Sequence, residues 1–254
     1  MRVIAILNQK GGSGKTTTTV NLGATLAEMG KKVLLIDLDP QASTSLWYGV
    51  KDKGKALYEL FTNHEAVFSS AVVPTQVENV QIIPSSALLS NVEKMLFSHA
   101  KPEHVLKDKL GNHQGADWDY VLIDCPPTLG TLALNALAAA QEVLVPVETH
   151  VMALHGLVQL LKTISHVKEQ INPNLKIGGI LACRVDVRTK HAQEVITQLK
   201  QRFADQVFQS TIRENIKLAE APLYSKPIIH YENNCHGSED YRSLADEIIQ
   251  QENK

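Results

Sequence analysis

Short aliphatic and β-branched runs alternate along this chain with longer stretches whose apolar residues recur at helical spacing. The runs Val3–Leu7, Val33–Asp37, Val80–Pro84, Tyr120–Asp124, Glu142–Val147, Ile177–Cys183, Val207–Gln209 and Ile228–His230 are each predicted as strands. Thr16–Met29, which stops at Gly30, and Leu132–Ala140, Ala153–Gln170 and His191–Phe203 are predicted as helices. Runs such as Val33-Leu34-Leu35-Ile36 contain no polar alternate, so both faces of those strands are expected to be buried, as in a parallel sheet covered by helices. The alternation of strand and helix predicts an α/β architecture: a doubly wound, mostly parallel β-sheet flanked by helices. Asn112–Trp118 is predicted as a surface loop. No repeat, low-complexity tract or linker divides the sequence, so residues 1–254 read as a single domain.

Composition narrows the class. With 44% hydrophobic residues in 254, the chain can bury a large core without disulfide staples. Its 25 Lys and Arg against 27 Asp and Glu exclude both intrinsic disorder and a chain-wide polycation. No apolar run approaches the roughly 20 residues of a membrane span. Val3–Leu7 is interrupted by Asn8-Gln9-Lys10 too early for a signal peptide. A cytoplasmic protein is expected. Cys125, Cys183 and Cys235 are widely spaced and form no CxxC pair, which speaks against a zinc site or a disulfide framework. The closing stretch Glu239–Gln251 gathers Tyr241, Leu244, Ala245, Ile248 and Ile249 on one side but is acidic. It is expected to pack on the core rather than lie on an anionic membrane.

The densest chemistry lies between the first strand and the first helix, in Gln9-Lys10-Gly11-Gly12-Ser13-Gly14-Lys15-Thr16-Thr17. A phosphate group needs closely spaced backbone N–H donors and no Cβ in the way. The three glycines meet that need, and the start of the helix adds free N–H groups and a positive dipole end. Lys15 would reach the β/γ-phosphates and Thr16 would offer a hydroxyl to Mg²⁺. The ordinary phosphate-loop pattern has a glycine where this chain has Gln9, and Lys10 is an extra cation beside the glycines. Asp37 and Asp39 close the second strand, at the sheet end where α/β proteins bind ligands, and on an extended strand they would point the same way. Val121-Leu122-Ile123 runs into Asp124, a pattern that places a carboxylate near Mg²⁺.

With these motifs the chain resembles the ParA/MinD superfamily of deviant Walker A ATPases, P-loop NTPases whose signature lysine corresponds to Lys10. Asp37-Leu38-Asp39-Pro40-Gln41 resembles the family's switch I, and Cys125-Pro126-Pro127 with Thr128–Leu137 its switch II. The resemblance resumes at Gly178-Gly179-Ile180-Leu181, Asp186-Val187-Arg188-Thr189 and Leu218-Ala219-Glu220-Ala221-Pro222. It is closer to the ParA/Soj branch than to MinD, which ends in a basic membrane helix. It implies that residues 10–17 bind ATP and that Thr16, Asp39 and Asp124 serve Mg²⁺. Asp39 would orient the attacking water, and Lys10 would reach the nucleotide of the other subunit in an ATP-bound homodimer. The base is expected against backbone near Cys183–Asp186 and Ile212–Asn215.

The resemblance further implies binding to double-stranded DNA without sequence preference, association with the nucleoid, and a ParB-like or other small adaptor that stimulates a weak ATPase. The cargo would be a partition complex or a protein assembly. Residues 176–226 carry nine Lys and Arg against five Asp and Glu, in a chain whose net charge is −2. Arg188, Arg213 and Lys217 are the expected DNA contacts. Two departures stand out. Glu214 occupies a family arginine position, with Arg213 where a proline is usual. The stretch Glu148-Thr149-His150 replaces a Gln-x-Glu pattern, and His155 precedes Gly156; a hydrogen-bonded structural role is expected for His150 and His155. Two other readings share the motifs: an ATP-binding scaffold with little turnover, and a small-molecule ATP-dependent ligase of the dethiobiotin-synthetase type.

Overall fold

A computed structural model describes residues 1–50, 56–96, 99–111 and 117–253. Within these lies an eight-stranded sheet: β1 (Arg2–Ile6), β2 (Val33–Asp37), β3 (Val73–Pro74), β4 (Val80–Ile83), β5 (Tyr120–Asp124), β6 (Glu142–Glu148), β7 (Lys176–Val185) and β8 (Val207–Arg213), in the order β3-β4-β2-β5-β1-β6-β7-β8. Every pairing is parallel except that of the two-residue edge strand β3 with β4. The helices are α1 (Lys15–Glu28), α2 (Ser43–Trp47), α3 (Ala56–Thr62), α4 (Val92–Leu96), α5 (Val105–Gly111), α6 (Thr131–Ala139), α7 (Val151–Gln170), α8 (Lys190–Phe203), α9 (Ile216–Glu220), α10 (Ile228–Tyr231) and α11 (His236–Gln250).

The continuous apolar strands deal their side chains alternately to two cores, one on each face of the sheet. Val3 and Ala5, Leu34 and Ile36, and Val121 and Ile123 pack on one side with α6 and α7; Ile4 and Ile6, Val33 and Leu35, and Tyr120 and Leu122 pack on the other with α1 and α11. All five residues of β2 and of β5 are buried. The parallel sheet between helical layers is as the sequence pattern predicts. The acidic closing helix packs on the core through Tyr241, Leu244, Ala245 and Ile248. None of the described helices is long and apolar enough to cross a membrane.

Two expectations are corrected. Ile228–His230 is not a strand but lies in the short helix α10, introduced by Pro227; the Ile228 N–H donates to Asn21 Oδ1 of α1 at 2.6 Å, so this apolar run is buried against a helix rather than paired in the sheet. Strand β8 extends to Arg213, beyond Gln209, and the two-residue edge strand β3 at Val73–Pro74 is not among the predicted strands. Of the predicted loop, Asn112–Ala116 lies outside the described residues; Asp117 and Trp118 lead directly into β5.

The chain's two ends meet at α1. Thr18 Oγ1 lies 3.4 Å from the Tyr241 hydroxyl, and Arg242 pairs with Glu28 at 2.7 Å. At the opposite end of β1, Arg2 pairs with Glu142 at 2.6 Å and donates to the Ile248 carbonyl at 2.6 Å.

Candidate functional site

The loop between β1 and α1 wraps the helix N-terminus. Gly12 and Gly14 have φ of +77° and +95°, a region side chains with a Cβ rarely occupy, and a Cβ on Gly11 or Gly12 would point into open space. The turn therefore bares backbone N–H groups toward the cleft while α1 adds its own uncapped ones. Lys15 is buried, its ammonium 3.4 Å from the Lys10 carbonyl. Ser13 Oγ is buried without a hydrogen-bond partner among the described residues. Such a cradle suits an anion of phosphate size.

Facing the loop are the ends of β2 and β5, whose register sets Asp37 opposite Asp124. Asp124 Oδ2 accepts from Thr16 Oγ1 at 2.8 Å and from Thr44 Oγ1 at 2.6 Å, while its Oδ1 is buried and unpartnered. Burial pushes the Asp124 carboxyl up, against the hydroxyls of Thr44 and Thr16, which favour its charged form. A hydroxyl and an orphaned carboxylate oxygen side by side are the donor set of a hard divalent cation such as Mg²⁺.

Asp37 and Asp39 part company. The strand ends at Asp37, and the chain turns at Asp39, whose carbonyl accepts from Ala42 N at 2.8 Å. The extended-strand expectation for the pair therefore stops at Asp37. Asp37 is fully buried and accepts from Ser45 N at 2.8 Å, from Ser45 Oγ at 2.6 Å and from Asp39 N at 3.2 Å. Its carboxyl is pushed up, first by burial and then by the charge of Asp124. Asp39 lines the cleft. Ser45 Oγ also accepts from Ser85 N at 2.9 Å, and Ser85 Oγ donates to the Asp39 carbonyl at 2.6 Å, so Asp37, Ser45 and Ser85 together hold the Asp39 backbone. Thr44, Ser45 and Ser85 are not among the residues the sequence singles out; three consecutive hydroxyls at Ser43-Thr44-Ser45 after an acidic strand end are the signal that could have marked the first two.

A cleft of ≈ 930 Å³ runs from Gly11–Thr17 past Asp39 to residues 183–188 and 212–216. The segments expected to meet the base thus lie in the same cleft as the phosphate loop. Lys10, at the loop's outer edge, pairs with Glu148 at the end of β6. The cations expected to meet DNA lie around the far end of the cleft, and each has an acidic partner. Arg188, 84% exposed, pairs with Asp186 at 2.8 Å. Lys217, 40% exposed, pairs with Glu220 at 3.0 Å. Arg213, 29% exposed, is held by Asp240 at 2.6 Å and Glu239 at 3.0 Å. Among these three, Arg188 presents the most open charge. The His150 ring lies edge-on to His191 at 5.7 Å and His155 is exposed on α7; no metal-ligating cluster is found among the described residues.

A parallel sheet with a glycine-rich loop on a helix N-terminus, a hydroxyl–carboxylate pair beside it and a lysine at the loop's start defines a P-loop NTPase of the deviant Walker A class. The protein-family description "AAA domain" matches residues 1–177. The chromosome partitioning protein ParA of Caulobacter vibrioides is 41% identical over 255 residues, covering 99% of this chain and 95% of that protein. The chromosome-partitioning ATPase Soj of Treponema pallidum is 43% identical over 248 residues, covering 98% and 97%. Among solved structures, a cobyrinic acid a,c-diamide synthase from Mycobacterium smegmatis with bound ADP and magnesium superposes with a TM-score of 0.86 at 34% identity, covering 100% and 96%. The chain belongs to this AAA-domain family and, within it, to the ParA/MinD superfamily of ATPases.

Proposed function

We propose that this chain is a ParA-type cytoplasmic ATPase: it binds and hydrolyses MgATP, pairs with a second copy in the ATP state, binds double-stranded DNA without sequence preference, and positions cargo over the nucleoid with the help of an adaptor that stimulates hydrolysis. The observation that carries the reading is that the phosphate loop and Asp39 line one cleft, with Asp124 buried directly behind Thr16 and bonded to it.

The residues divide the work. Backbone N–H groups of residues 11–16 and the Lys15 ammonium bind the phosphates. Thr16 and Asp124, with Asp39 beside them, would hold Mg²⁺, which supplies neutralisation of charge on the β- and γ-oxygens. Asp39, its backbone fixed by Ser85, orients the attacking water. Lys10 supplies positive charge across the subunit interface, as an arginine finger does. Arg188 and Lys217 contact DNA phosphates, and Arg213 braces the same face from behind through Asp240. Two cationic faces side by side in a dimer would make the affinity steep in salt and dependent on ATP. The cargo is a chromosome or plasmid partition complex or a protein assembly.

Duplex DNA binding measured with ATP, with ADP and without nucleotide across a salt series tests the reading. Binding only with ATP, falling with salt, is expected; equal binding in all three states would overturn the DNA step. The synthase name of the solved neighbour favours a second reading, a small-molecule ligase. ATP turnover raised by duplex DNA and unaffected by added carboxylic acid and amine donors would exclude it.

A further inference from the structure

Glu148 ends β6 beside the phosphate loop, and its carboxylate is only 14% exposed. One oxygen, Oε2, accepts from the Lys10 ammonium; the other, Oε1, accepts from Arg184 Nη1 at 2.7 Å. Arg184 in turn reaches Glu214 at 3.7 Å, so that Glu214, Arg184, Glu148 and Lys10 form a line of alternating charge along the cleft rim. The backbone of Arg184 lies in the left-handed region, with φ of +53°, where a side chain with a Cβ is disfavoured. The anchor of this line is thus held in place against a local preference. Burial raises the Glu148 carboxyl, but Lys10 and Arg184 outweigh it and keep it below the usual range.

We propose that Glu148 is a latch on Lys10: it holds the signature lysine against its own subunit and sets how readily that lysine becomes free to complete the site of a second copy of this chain. The inference rests on the trans-acting role proposed above for Lys10. A single ammonium cannot pair fully with Glu148 and also extend across a subunit interface, so the two contacts compete. Arg184 makes the latch reversible. When Lys10 leaves, Glu148 keeps a cation at 2.7 Å and is not stranded as a buried unpaired charge. The resemblance noted for this stretch places an uncharged glutamine at the position of Glu148, and a glutamine could not hold Lys10 in this way.

Partly exposed ion pairs change equilibria by at most about five-fold each, and a dimer opens two latches, so the dimerisation constant is expected to shift by up to about 25-fold. The test is sedimentation of the full chain with MgATP. Glu148→Gln keeps the shape and the hydrogen bond to Arg184 but not the charge, and is expected to dimerise at a lower protein concentration than the parent. Glu148→Asp, with its carboxylate drawn back by one methylene, should fall between the two. The gain should vanish in Glu148→Gln/Lys10→Ala, where there is no lysine to release. Lys10→Ala failing to dimerise while Glu148→Gln gains nothing would overturn the latch alone, as would a gain that persists without Lys10. Lys10→Ala dimerising as well as the parent would overturn the trans role and the latch with it.

Discussion

At the ends of β2 and β5, two carboxylates are buried with only the Lys15 ammonium acting on Asp124; around the ends of β7 and β8, Arg188, Arg213 and Lys217 are each matched by a carboxylate. The side-chain types are the same, and their titration is pushed in opposite directions. Burial raises Asp37 and Asp124, whereas pairing with Arg188 lowers Asp186, pairing with Lys217 lowers Glu220, and His236 followed by Arg213 lowers Glu239. The first region is electrostatically unfinished and gains from an incoming metal and phosphate. In the second the cations Arg188 and Lys217 are already paired within the protein, so an incoming DNA phosphate must compete with Asp186 and Glu220 for them. A count of cations in a sequence therefore overstates free charge on a surface.

The comparison breaks most visibly if the unfinished region does not bind. Lys15→Ala is expected to cost about 3 kcal/mol, or about a hundred-fold in Kd for MgATP by calorimetry, because a charge-assisted contact to phosphate is lost in a buried setting. Unchanged affinity would remove the phosphate-loop assignment. Asp39→Ala should lower hydrolysis roughly a hundred-fold, as loss of a water-positioning carboxylate implies, and MgATP affinity far less; an equal loss of affinity would mean that Asp39 serves the metal and not the water.

The paired region sharpens it further. Arg213→Ala strands Asp240, 8% exposed, and is expected to lower stability by about 2 kcal/mol in chemical denaturation, discounted from the cost of a fully buried pair. If DNA affinity fell with stability unchanged, Arg213 would be a direct contact instead.

A pH series reads the unfinished region in the ligand-free protein. The folded pKa of Asp37, about 8, lies above its ordinary 3.8, so the native state keeps a proton that the unfolded chain has released over that interval. The contribution is fully present below about pH 4 and is lost as pH rises toward 8. Relative to Asp37→Asn, the parent's melting temperature should fall over this window, by about 2–4 °C per kcal/mol lost; parallel profiles would mean Asp37 is charged throughout. The smallest effect belongs to Asp186→Asn. Freeing Arg188 should strengthen DNA binding about two- to five-fold and steepen the salt slope by about one contact.

Much of the unfinished region was legible in the sequence because its parts are contiguous: strand, glycines, Lys15-Thr16 and helix follow one another within a few residues, and buried strands β2 and β5 deliver Asp37 and Asp124 in register. The supports were not legible. Ser85 reaches Asp39 from another strand's end, and Glu148 meets Lys10 across 138 residues of sequence. Such contacts depend on strand order, which spacing does not reveal. Ile228–His230 was misread for a related reason: four or fewer apolar residues carry too little periodicity to tell a strand from a buried helical turn, and only the Asn21 contact decides it.

That contact belongs to the seam where the last thirty residues clasp α1, through Asn21 to Ile228, Thr18 to Tyr241 and Glu28 to Arg242. Its consequence is temporal. On the ribosome the phosphate loop is made before α11, with most of the sheet between them, so the helix that carries the loop lacks its outer cover until α11 emerges. Contacts between segments more than two hundred residues apart form late and slow the final folding step. The nascent chain should therefore not retain ATP until α11 has docked, so ATP capture can serve as the marker of completed folding.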